Sequence, residues 1–383
     1  MVDRIANFFT SLRLTVACLC FGLVLVFVGT IAQVDEGLYN AQVRYFKAFF
    51  VWWGPAGATW KMPVFPAGYL VGTVLLVNLL AAHAKRFKWE KKKTGIIMTH
   101  AGVILLLLGQ LLTDVLSRES AMRMSEGDTK SYSEDFHRNE LVLIDQSGTD
   151  TDEVISIPES VVAHRGEIRH EKLPFTLRVK EYWQNSWLTG RQTNGFNPVQ
   201  VSEGLGKGVF LQSRPPVTAM DSRNVPAAIV EAVAADGKSL GTWLVSCQTD
   251  AEQFIRAGDR EFQLAMRFER HYKPFDITLT KFSHDLYKGT DKPKNFSSDI
   301  ILKHRETGEE RPVKIWMNHP LRYAGETFFQ ASFDKDDPHV TVLQVVKNPS
   351  WLTPYFSCVL VGAGLLVQFL IHLVGFAMKR RTA

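Results

Sequence analysis

Cysteine is scarce: the chain has four in 383 residues. Cys18, Cys20 and Cys358 fall inside apolar runs, and Cys247 alone sits in the polar middle of the chain. Four is too few for the disulfide framework of a small secreted scaffold. Cys18 and Cys20 are two positions apart on a predicted helix, so their side chains diverge by about 200° and cannot chelate one ion. No CxxCH occurs, so the chain does not itself carry a covalently attached c-type haem. A Gly-rich phosphate loop, HExxH, GxSxG and paired-cysteine zinc spacing are missing as well. What is left to carry chemistry is chiefly histidine, of which there are eleven.

What the sequence does have is long apolar runs, gathered at its two ends. A spanning helix needs about 20 mostly apolar residues. Four segments qualify: residues 11–33, 65–83, 95–116 and 353–378. The first is too long for a signal-peptide core and has no cleavage site, so it reads as a retained anchor. The net charge of +5 is concentrated rather than spread: AKRFKWEKKK, residues 84–93, holds six basic residues against one acid. Beside apolar runs, such a cluster marks a cytoplasmic membrane flank rather than a nucleic-acid surface. KRR after the fourth span repeats the signal. Counting spans from these flanks places both termini in the cytoplasm, with loop 34–64 and all of 117–352 on the far side. Loop 34–64 contains YNAQVRYFKAFFVWWGPAGATW, whose aromatics predict a helix lying in the headgroup layer.

Between residues 122 and 346 the period changes. LVLID, FTLRVKEYW, AAIVEAV, GTWLVS, FDITLTKF, SSDIILKH and VTVLQVV are short, alternate or carry β-branched residues, and are punctuated by Gly, Pro, Asp or Asn. EFQLAMRFE and ETFFQASF continue the pattern. The expected fold class is therefore a multi-pass α-helical membrane protein of four spans with a large antiparallel all-β extracytoplasmic domain. The domains follow: a membrane region at 1–116, the β-rich domain at 117–352, and the fourth span with a basic tail at 353–383. The β-rich region holds His137, His164, His170, His271, His284, His304, His319 and His339. They lack the close spacing of a local metal site and read as surface or hydrogen-bonded residues.

His100 is different, because it sits inside the third span. It lies seven residues past Lys93, so its Cα is about 10 Å beyond that basic anchor. Lipid exposure there would leave ring nitrogens without partners at a cost of several kcal/mol. The ring must face protein, water or a ligand. Gly95, Gly102 and Gly109 recur every seven residues and form a stripe where another helix can pack closely. His100 points roughly 150° away from that stripe, so packing and histidine presentation are separate tasks. In the fourth span His372 lies seven residues before Lys379, at a similar depth of about 10 Å. Two histidines at one depth on different helices either hold a haem iron from both sides or each bond a neighbouring carbonyl or hydroxyl. His83 adjoins the basic loop, at the interface, where it can hydrate.

The order of these features, with several local runs, resembles the ResB (CcsB) family of cytochrome c maturation proteins. The resemblance rests on SLRLTVACLC with GTIAQ in the first span and on THAGVILLLLG at 99–109. LPFTLRVKEYW, SRNVPAAIVE, KNFSSDIIL and MNHPLRYAGETFFQASF add to it in the outer domain. It implies a subunit of the system II cytochrome c synthase (haem lyase), in the bacterial cytoplasmic membrane. In that pathway a ResB-like protein and a CcsA/ResC-type, Trp-rich polytopic partner move haem b outward. The complex then attaches it to CxxCH of apocytochrome c. The family's haem-ligating membrane histidine corresponds here to His100; His372 has no family counterpart and is a haem candidate by depth alone. The partner's Trp-rich haem-handling segment is missing, so this chain is not expected to complete the ligation alone.

Two other classes use the same residues. A b-type electron-transfer subunit would hold haem permanently between His100 and His372. A haem-free, membrane-anchored assembly factor would use its histidines only for packing.

Overall fold

The structure, a computed structural model, describes residues 2–55, 60–86, 90–148, 151–217, 223–249, 251–286, 289, 293–334, 337 and 339–382. It divides into a helical unit formed by the two ends of the chain and a β-rich unit covering most of residues 119–347.

The helices are α1 (Val2–Phe9), α2 (Leu12–Ala41), α3 (Gly68–Arg86), α4 (Thr94–Leu116), the short α5 (Glu159–Ala163) of the β-rich unit, and α6 (Thr353–Thr382). Ser11 caps α2 by accepting a hydrogen bond from Arg13 N at 3.2 Å, which separates α1 from the first span. Among the described residues, four helical segments are long and apolar enough to cross a membrane: Leu12–Phe46, Gly68–Lys85, Lys91–Leu116 and Thr353–Arg380. The protein is thus a membrane protein with the expected four helices. The glycine stripe of α4 has its partner in α6. A Cβ on Gly95 would lie 2.5 Å from Gly364 O, and one on Gly102 only 2.6 Å from Val361 Cγ2. Only hydrogen at these positions lets the two backbones approach so closely.

The connection between α2 and α3 differs from expectation. Where a helix in the headgroup layer is predicted, α2 bends at Gly37 (φ 76°) and passes through a π-helical turn, Gln42–Phe46. Phe50–Trp53 then pairs antiparallel with Met62–Pro66. The aromatic and β-branched run FVWW prefers a pleated surface, and Pro63 and Pro66 forbid helix but fit a two-stranded edge. Leu25, Ala41, Tyr45, Val51 and Ala67 form the apolar core that seats the hairpin. Residues 56–59 of the aromatic segment lie outside the described residues.

The strand pairs of the β-rich unit whose register is described are antiparallel, as the pattern predicts. Its largest sheet has ten strands and is accompanied by sheets of four and three. FTLRVKEYW forms the strand Phe175–Trp183, as read from sequence. EFQLAMRFE and FDITLTKF, expected as two strands, are one strand of 27 residues, Arg260–Leu286. Pro274 between them is accommodated by a register irregularity against Thr129–Asp145 between Tyr272 and Ile277. The two halves of the strand belong to separate cores. Phe262, Leu264 and Met266 pack with Leu141, Phe175 and Trp243. Phe275, Ile277, Leu279 and Phe282 pack with Met122, Phe328 and Leu343.

Candidate functional site

α4 commits its glycine face to α6, leaving His100 on the side that meets α3. The residue waiting there is His83, in the last turn of α3. Its ring stands edge-to-face with that of His100, centroids 4.8 Å apart at 81°. His83 Nδ1 lies 3.1 Å from Leu79 O, one helical turn back. Among the described residues the His100 ring has this aromatic contact and no hydrogen-bond partner.

Both rings line a cavity of about 300 Å³. Leu12, Leu79, Ile96 and Ile97 supply apolar wall, and Lys93 contributes a charge. One side is built by the break between α1 and α2, whose free carbonyls need donors. Asn78, almost wholly buried, meets that need: its Nδ2 donates to Phe9 O at 2.7 Å and Ser11 O at 3.1 Å. Its Oδ1 accepts from Thr15 Oγ1 at 2.6 Å. With its oxygen and both of its amide hydrogens engaged, Asn78 fixes α1, α2 and α3 around the cavity without competing for a ligand.

His372 does not line this cavity. It is exposed on α6, its Nε2 2.9 Å from Gln368 Nε2. Gln368 also accepts from Ile96 N at 3.2 Å and donates to Lys92 O at 3.3 Å. The structure therefore brings His83, not His372, to His100. Of the basic cluster, Lys93 pairs with Glu90 at 2.9 Å and Lys85 donates to Asn7 Oδ1. Lys88 lies outside the described residues.

A second polar cluster, missed in the sequence, closes the other end of α4. The Asp114 side chain is largely covered; Lys47 Nζ lies 2.8 Å from its Oδ1, and Tyr69 donates to its Oδ2. The signal was there, since Asp114 is the one formally charged residue between 94 and 116 and such residues in spans find partners. In the β-rich unit no group of three or more His, Cys, Asp or Glu placed to hold a metal occurs among the described residues. Burial pushes the Cys247 thiol well above its ordinary value, so it is inert as a nucleophile at neutral pH.

The fold and the site define a class: a four-helix membrane protein with a large antiparallel β unit and paired histidines inside its apolar helices. The comparisons agree with the resemblance read from the sequence. Residues 240–341 match the ResB-like family. Over 307 residues the chain is 24% identical to Protein NrfI of Wolinella succinogenes, an alignment covering 78% of this chain. The chain thus spans 29% of that relative's length. The family match falls within the β-rich unit, so the reading of His100 stands on its own geometry.

Proposed function

We propose that this chain is the ResB-type subunit of a system II cytochrome c maturation complex in the bacterial cytoplasmic membrane. In this reading it takes up haem b at His100 as a transient cargo. With a CcsA/ResC-type, Trp-rich polytopic partner it passes the haem on for covalent attachment to CxxCH of apocytochrome c. The observation that carries the reading is the unengaged His100 ring facing an apolar-walled cavity. An imidazole kept from hydrogen bonding in a water-poor site retains its lone pair for iron. Lys93 lines the same cavity and, by exchanging its exposed partner Glu90 at 2.9 Å, can take a haem propionate.

The cavity, at about 300 Å³, sits at the lower end of ligand-pocket sizes, which begin near 300 Å³. A macrocycle bound at His100 therefore extends past these walls, and the partner completes the enclosure. The basic flanks, Lys91–Lys93 and the end of α6, support an orientation with both termini and the α3–α4 connection in the cytoplasm. The β-rich unit then faces outward, where apocytochrome is met.

The test is to purify the chain with and without a Trp-rich partner encoded nearby and record haem spectra for the parent and His100→Ala. Haem is expected mainly in the complex, with its amount or ligation changed in the variant and partly restored by added imidazole. Unchanged haem content and spectrum in His100→Ala would overturn the assignment of the ligand. Intact covalent cytochrome c maturation after deletion of the gene would overturn the pathway.

A further inference from the structure

His83 has a feature that simple packing does not require. A carbonyl oxygen can only accept, so the contact of Nδ1 with Leu79 O at 3.1 Å puts the ring proton on Nδ1. Nε2 is then the bare nitrogen, with its lone pair in the ring plane. A backbone carbonyl on one ring nitrogen is the usual way a protein orients a histidine whose other nitrogen binds metal. The same ring lines the cavity with His100 and touches it edge-to-face at 4.8 Å.

That contact also limits the chemistry. Two rings against each other leave no gap for a porphyrin, so they cannot be the opposed axial ligands of one iron. They can reach the same iron in turn. We propose that His83 is an alternative axial ligand, forming with His100 a hand-over pair on one face of the haem. In the exchange one Fe–N bond breaks and one forms; no electron moves, and the proton of His83 stays on Nδ1, donated in the hydrogen bond to Leu79 O. The pair gives haem a second resting position in the same chain, a short displacement from the first. The inference rests on the haem reading above.

The experiment uses the complex co-purified with its Trp-rich partner and compares four chains: parent, His100→Ala, His83→Phe and the double variant. Phenylalanine keeps a ring against His100 but has no lone pair; His83→Gln, with a polar side chain, serves if the phenylalanine variant is unstable. Haem per complex and the visible and resonance Raman spectra are measured. The expected result is that His100→Ala retains haem with an altered axial signature. The double variant should then fall below it by about tenfold or more. Equal haem and identical spectra in His100→Ala and the double variant would overturn the hand-over while leaving the haem reading intact. A parent complex without haem, and unable to take up added hemin, would overturn both.

Discussion

Asp145 ends a strand almost completely out of water and faces Arg260, whose Nε lies 3.1 Å from its Oδ2. The Arg260 guanidinium, aided by Ser147, holds this carboxyl down at about 2. An unfolded aspartate titrates at about 4, so folding binds fewer protons here than the open chain does. The stabilisation is complete above about pH 4 and is lost as pH falls toward about 2. Arg260→Gln should lower the thermal midpoint of the full chain in detergent at pH 5, and the gap to the parent should close across that window. A gap independent of pH would mean that the pair contributes through packing alone. At this scale the sequence was uneven. His100 was legible because an ionisable ring in an apolar run has few physical options. His83 is less legible, because its place at the end of one span does not say which ring faces it. Two positions 17 residues apart, on α3 and α4, come into ring contact, a relation that depth arithmetic along single helices does not contain.

Helix ends and faces were set by strong local signals. The glycines of α4 face α6 because a side chain there has nowhere to go: at Gly102 a Cβ would stand 2.6 Å from Val361 Cγ2 and 3.0 Å from Ser357 O. Gly102→Leu should therefore push the helices apart and cost about 1–3 kcal/mol, the range for overpacking a close contact. Gly72→Leu on α3 meets nothing within 4 Å and should leave stability unchanged. Thermal unfolding of both variants in one detergent measures the contrast, and equal midpoints would remove the stripe as a packing device. The connection from α2 to α3 was harder to read. Its aromatics serve a headgroup helix and a hairpin equally in composition, and the prolines decided for strand. Pro274 reads in the sequence as a break between two strands. Lys273, itself buried, instead pairs with half-buried Glu326 at 2.7 Å where one continuous strand shifts register.

For the whole molecule, apolar runs at both ends and alternating strands between them were enough to separate the two materials. Pairing was not legible. The largest sheet sets Arg118–Ser125 beside Val340–Lys347, more than 200 positions apart in the chain. Such contacts follow from the total burial of the sheet, not from any local word. Charge asymmetry acts at this same scale and carries the proposed sidedness. Basic residues gather at Lys85, Lys91–Lys93 and Lys379, all at the ends of spans that the positive-inside rule assigns to the cytoplasm. Two exposed positions test it: Thr307, in a turn of the β-rich unit, and Lys92, in the α3–α4 connection. In intact cells a membrane-impermeant maleimide should label Thr307→Cys. It should reach Lys92→Cys only after the membrane is opened. Native thiols should add little background, since Cys247 is largely shielded and the other three lie on α2 and α6. Labelling of Lys92→Cys in sealed cells would invert the orientation. It would then put the histidine cavity beside the outer face, where haem made in the cytoplasm could not enter it without crossing the membrane first.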